Sequence, residues 1–144
     1  MNGADDLVVD ASVGAKLLLE EEGSAEAGAI FDGAAGARPR TLHVPDLFFA
    51  ECANALRRAV QRRKMTPAEA AAEVDALAGL GVESTETRFL AAEALRIAVR
   101  ARISVYDAVY VALSDRTGAP LVTADRELFD RLHGTRHRVR WLGG

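Results

Sequence analysis

The sequence predicts an α/β domain built on a mainly parallel sheet with helices over both faces. Two observations carry that prediction. Short runs with strand character alternate along the chain with longer segments of helical pattern. The strand-like runs are apolar throughout, without in–out alternation, which is how strands covered on both faces read. Composition agrees: 144 residues, 49% apolar and 27% charged, describe one globular domain that buries roughly 68–70% of its unfolded surface.

Leu7–Asp10 (LVVD) reads as the first strand, and Ser12 is placed to cap a helix over Val13–Leu19. A second helix is expected from Ser24 to Ala35, ending at Gly36, with the glycine-rich stretch from Gly33 to Arg40 as a loop. Thr41–Val44 is the next strand. Asp46 then stands as a candidate N-cap for a long helix running to about Lys64. Thr66-Pro67-Ala68-Glu69 forms a capping box with proline at the first helical position, and that helix ends near Gly79 or Gly81. Val82–Ser84 carries a weak strand signal. Phe89, Ala92, Leu95, Ala98 and Val99 fall at helical spacing within a helix expected over Thr87–Ala101. Ser104 caps the segment SVYDAVYVAL, whose helix runs to about Thr117 and stops at Gly118. Pro120–Thr123 is an apolar strand, Asp125 opens a short helix to about Leu132, and Val139–Leu142 suits an edge strand.

Several function classes recede on composition alone. The formal net charge is −3, so general electrostatic attraction to nucleic acid is not expected, although a local basic patch remains open. A single cysteine, Cys52, rules out an intramolecular disulfide and a cysteine metal cage. The acidic start MNGADDLVVD does not read as a secretory signal, and no apolar run reaches membrane-spanning length. The expectation is a cytoplasmic protein. His43, His133 and His137 show no zinc-like spacing.

Four carboxylates stand out by position. Asp10 closes the first strand, Asp125 follows the PLVT strand, Asp107 lies in the first turn of a helix, and Glu51 sits in the apolar stretch LFFAECANAL. Asp107 and Asp125 each have a helix-capping reading. Asp10 and Glu51 need partners if buried. In a parallel α/β sheet, strand ends and the following helix starts share one edge, where ligands bind, so the four acids can converge. At ~4 Å and an effective dielectric of ~20, each unscreened pair would cost about 4 kcal/mol. A divalent cation removes that repulsion, and an all-oxygen ligand set selects a hard ion, Mg2+ or Mn2+.

Asp10 in VVDASV, Glu51 in FAECANAL, Asp107 in SVYDAVYVAL and Asp125 in LVTADREL resemble, in order, the four acidic motifs of PIN-domain ribonucleases. The likeness is greatest to the VapC-type toxins of bacterial toxin–antitoxin pairs and spans Leu7 to about Leu132. The resemblance implies one PIN-like nuclease domain over residues 1–144, a three-layer α/β/α sandwich with a central parallel sheet. It implies a four-acid cleft that binds Mg2+ or Mn2+ and cleaves RNA. It also implies a homodimer, and a cognate antitoxin that covers the cleft. Ser12, Asn54 and Thr123 match further polar positions around the family's metal site.

On this reading Asp10 and Asp107 hold the main ion directly. Asp125 and Glu51 act through water, complete a second site or orient the attacking water. RNA contact is a candidate role for Arg57, Arg58, Arg62 and Arg63 in the segment RRAVQRRK, whose charges also suit a helix C-terminus. Tyr106 and Tyr110 either stack on bases or pack. Two rival classes stand beside the nuclease. One is a non-catalytic PIN-like module that binds RNA or protein, which would be marked by a lost acid. The other is a phosphoacceptor receiver domain, which wants a lysine near the last strand, whereas Lys16 and Lys64 both fall in expected helices.

Overall fold

The computed structural model describes residues 6–33 and 40–144. Five parallel strands, β1 (Leu7–Val9), β2 (Leu42–Pro45), β3 (Glu83–Thr85), β4 (Leu121–Thr123) and β5 (Val139–Trp141), form one sheet in the order β3-β2-β1-β4-β5. The chain runs outward from β1 through β2 to β3, then crosses to β4 and continues outward to β5. Right-handed crossovers therefore place the first set of helices on one face and the later set on the other. The contacts agree. α2 (Ser24–Gly33) and α3 (Leu47–Gln61) both pack on α1 (Ala11–Leu18), and α4 (Pro67–Ala78) packs on α3, while α5 (Ala91–Ala101) packs on α6 (Val105–Thr117). α7 (Arg126–Leu132) lies against β4 and β5. The result is the expected α/β/α sandwich.

The core follows from the apolar runs. Val8, Val9, Leu42, Val44, Leu121 and Val122 are buried in the sheet. Every residue of α6 from Ala108 to Ser114 is also buried, so this helix shows no polar face over that span. Such a helix belongs in the interior, and α6 crosses β1, β2 and β4 beneath α5. Burying each Leu or Val side chain contributes ~1.5–3 kcal/mol. On the opposite face α1 and α3 approach closely at Gly14. A Cβ there would lie 2.6 Å from Cys52 Sγ and 2.8 Å from Phe48 Cζ, and both of those side chains are fully buried.

Four local expectations are corrected. Ser12 does not cap α1. Asp10 does, in an extended conformation, with its carboxylate accepting from the N–H groups of Ser12 and Val13; the helix starts two residues early because the acid at the strand end already meets its orphan donors. Asp46 makes no capping bond to α3. Its carboxylate instead accepts from the N–H and hydroxyl of Thr87, tying the start of α3 to the segment after β3. The helix expected over 87–101 is broken: Thr87–Phe89 is a single 3-10 turn and α5 begins at Ala91. Of the residues at helical spacing, only Ala98 is buried, while Phe89, Leu95 and Val99 are 59%, 56% and 74% exposed. The inward face is Ala94, Ile97 and Ala98, with Leu90 before it.

Smaller differences concern ends. α3 stops at Gln61 rather than Lys64, and β2 and β3 sit one residue later than predicted. The capping box at Thr66 and Glu69, the Ser104 cap and the Gly118 stop are as predicted. The predicted end of the second helix at Ala35–Gly36, and the loop following it, lie outside the described residues.

Candidate active site

The sheet order reverses between β1 and β4, which makes the crevice outside their carboxyl ends the topological switch point, the usual ligand site of such sheets. Val9 pairs with Val122, so the next residues on these two strands, Asp10 and Thr123, come side by side. The Thr123 hydroxyl donates to Asp10 Oδ2 at 2.5 Å. Oδ1 accepts from the Ser12 hydroxyl at 2.5 Å, from the Ser12 N–H at 3.1 Å and from the Val13 N–H at 3.2 Å. The two hydroxyls are held in turn: Ala124 N–H donates to Ser12 Oγ at 2.8 Å and Asp125 N–H donates to Thr123 Oγ1 at 3.0 Å.

Asp10 is only 4% exposed. Burial pushes its carboxyl up to about 6, against the opposing pull of the Ser12 and Thr123 hydroxyls and the Val13 N–H, and the charge of Asp107 adds to the rise.

The other acids arrive from other elements. Asp107, half-buried in the first turn of α6, has its N–H bound to the Ser104 hydroxyl. Burial raises its pKa most, the charges of Asp125 and Glu51 add to that, and Ser104 opposes them. Asp125 caps α7 by accepting from Leu128 N–H at 3.1 Å, so its capping role is real and does not remove it from the site. Glu51, in the second turn of α3, accepts from the Tyr110 hydroxyl at 2.6 Å.

All four acids line one cavity of about 440 Å³ between α1, α3 and α6. Ser12 and Asn54 line it as well, and Thr123 stands behind Asp10. The structure thus brings the predicted set to one edge of the sheet. Among the described residues no three His, Cys, Asp or Glu side chains are gathered tightly enough to enclose an ion directly. The donor set nevertheless fits a hard divalent cation, because it is all oxygen, and Asp10 and Asp107 are raised chiefly by burial with neighbouring carboxylate charge adding to it. An ion held through water needs no tighter enclosure.

The basic segment divides. Arg58 lines the acid cavity, one turn beyond Asn54 on α3. Arg58, Arg62 and Lys64 line an adjoining cavity of about 570 Å³. Arg57 and Arg63 line neither cavity. The tyrosines divide too. Tyr106 is exposed at the cavity rim, and Tyr110 is 1% exposed with its hydroxyl on Glu51. Sequence reading left Glu51 without a partner; the partner is Tyr110, and its spacing of three from Asp107, which puts both on one helix face, is the signal that could have found it. The histidines lie elsewhere: His43 beside Asp6, His137 beside Asp115, and His133 stacked on Phe129.

Comparison with known proteins gives a consistent picture. The family model described as PIN domain matches residues 7–134. Ribonuclease VapC3 of Pyrobaculum aerophilum is 34% identical over 129 residues, which cover 87% of this chain and 93% of that protein. Ribonuclease VapC9 of Mycobacterium tuberculosis is 38% identical over 89 residues, 62% of this chain and 68% of that protein. Among solved structures, PAE2754 from Pyrobaculum aerophilum superposes with a TM-score of 0.71 at 26% identity, covering 99% of this chain and 87% of that chain. VapBC2 from Rickettsia felis, bound to a DNA fragment from its promoter, gives 0.64 at 11% identity over 94% of this chain and 97% of that one, a likeness of fold.

Proposed function

The chain belongs to the PIN domain family and to its VapC ribonuclease group, and from that premise we propose that it is the toxin of a toxin–antitoxin pair, an Mg2+- or Mn2+-dependent endoribonuclease whose catalytic residues are Asp10, Glu51, Asp107 and Asp125. The observation that supports this best is the convergence of those four carboxylates, from β1, α3, α6 and the turn after β4, on one cavity at the switch point of the sheet.

A bound divalent ion supplies Lewis acidity, a more acidic water and charge neutralisation at the phosphate. The chain's own groups do the rest. Asp10 is held from four directions, so its carboxylate cannot turn away; Oδ2, with one donor on it, keeps a lone pair for the ion. Asp107 is the second direct ligand. Asp125, fixed by its cap to Leu128, and Glu51, fixed by Tyr110, act through water or orient the attacking water. Arg58 on the cavity wall, with Arg62 beyond it, is placed to take phosphates that the acids would repel. Arg57 and Arg63 have no such position, and we leave them to the helix end.

Residues 1–144 act as one nuclease domain in this proposal, in the cytoplasm, with a cognate antitoxin as partner. Among the described residues no helix is long and apolar enough to cross a membrane. A homodimer is part of the proposal: among the described residues, the exposed large hydrophobics, Phe89, Leu95, Val99, Val105 and Tyr106, all lie in the segment from residue 89 to residue 106, and association would cover them.

The test is cleavage of structured RNA by the purified protein with Mg2+ or Mn2+, with EDTA, and by Asp10→Asn. Cutting with metal and none in the other two arms is expected. Binding of RNA with no metal-dependent cutting would favour the non-catalytic module. Equal cutting in all three arms would reveal a contaminant and remove support for this active site.

A further inference from the structure

Each of the three aspartates is held or placed by a helix start: Asp10 and Asp125 bond N–H groups of their own helices, and Asp107 sits on the first turn of α6. Glu51 differs. It stands on the fifth residue of α3, past the free N–H groups, and carries one more rotatable bond than an aspartate. Its only hydrogen-bond donor among the described residues is the Tyr110 hydroxyl, at 2.6 Å. Tyr110 is itself fully packed within α6, so the phenol cannot follow Glu51 if the carboxylate swings. Tyr110 lies one turn after Asp107 on the same helix face, and the bond therefore ties α3 to the helix that carries Asp107. Burial and the Glu51 carboxylate both raise the pKa of the phenol, which remains a donor throughout the working pH range.

We propose that Tyr110 is the positioning residue of this site: its hydroxyl anchors Oε1 of Glu51, leaves Oε2 without a donor among the described residues, and thereby fixes the carboxylate of α3 at a set place relative to Asp107. The inference rests on the nuclease reading for its effect on cleavage, and on geometry alone for its effect on ion binding. Partners of this kind, standing behind a ligand, are worth about 10–100-fold in metal affinity or activity.

Tyr110→Phe keeps the ring and removes only the hydroxyl. Far-UV circular dichroism and the urea midpoint should stay close to wild type. Mn2+ affinity by calorimetry and kcat should each fall about tenfold or more, with KM for RNA unchanged. In a Glu51→Gln background, Tyr110→Phe should add little further loss, because the group it positions is already altered. Wild-type Mn2+ affinity and kcat in Tyr110→Phe would overturn the proposal. So would a full, independent loss in the Glu51→Gln background, which would mark Tyr110 as a packing residue. If wild type binds Mn2+ and cuts no RNA, the nuclease reading fails while the calorimetry still decides the role of Tyr110.

Discussion

The corner between β1 and β4 and the start of α6 border the same cavity, and the corner is built on opposite terms from the shoulder that α5 and the start of α6 form. At the corner, Asp10 and Thr123 are buried and each hydroxyl or carboxylate oxygen has partners. At the shoulder, Leu95, Val99 and Tyr106 face solvent, and Asp107 is half-buried with a pKa raised by burial and neighbouring carboxylates. The corner is set before any ligand arrives. The shoulder is open. Under the proposed function, a site that holds a charged ion and admits a polymer would benefit from both, since preorganisation on one side leaves access on the other.

The sharpest way to break this contrast is at the corner. Thr123→Val removes the donor to Asp10 Oδ2 and the acceptor for Asp125 N–H in one step. The buried Asp10 carboxylate loses a partner, at about 1–3 kcal/mol, and the part-buried Asp125 N–H loses a weaker one, so urea unfolding should show a loss of about 1–3 kcal/mol; a change below about 0.5 kcal/mol would mean that the corner is not rigid. The pH dependence is next. Folding raises the Asp10 carboxyl from its ordinary 3.8 to about 6, so the native state holds that proton more tightly than the unfolded chain. The contribution of Asp10 to metal-free stability should therefore be full below about pH 4 and be lost as pH climbs through about 6, by up to roughly 3 kcal/mol. Melting scans should lose most of that step in Asp10→Asn, and saturating Mn2+ should reverse it.

The shoulder should respond weakly. Without metal, Asp107→Asn relieves repulsion from Asp125 and Glu51 and is expected to leave stability unchanged or slightly higher; marked destabilisation of the apo protein would make capping its main task. Leu95→Glu should alter monomer stability by no more than about 0.5 kcal/mol, while sedimentation should show weaker self-association. A monomer already present in wild type, unchanged by the substitution, would remove the dimer from the proposal.

Much of this molecule was legible in its sequence, and the misses have physical causes. The strand order of burial, the capping box at Thr66 and the stops at Gly118 and after Leu132 follow from local chemistry, and the alternation of elements predicts the sandwich. Asp10 and Ser12 both suit an N-cap, and choosing between them depends on where β1 releases the chain, which is decided by pairing to β4. α5 carries apolar residues on two faces; periodicity finds a stripe but cannot say which stripe meets α6. Asp10, Asp107 and Asp125 are legible as a group because strand ends and helix starts share an edge, while Glu51, deeper in α3, stands out as a carboxylate in an apolar stretch. The spacing of three puts Tyr110 on the face of Asp107, but its contact with Glu51 depends on how α3 and α6 pack and leaves no mark on either segment alone. The division of the basic segment into Arg58 and Arg62 against Arg57 and Arg63 likewise depends on which face of α3 meets the cavity.

One feature of the packing reaches further than its size suggests. The helices that follow Asp10 and carry Glu51 touch at Gly14, where not even a methyl group fits beside Cys52 and Phe48. The gap across which those two carboxylates face each other is thus gauged by a hydrogen atom at a residue with no functional group. A lineage that gained alanine there would have to respace its helices before it could keep its chemistry.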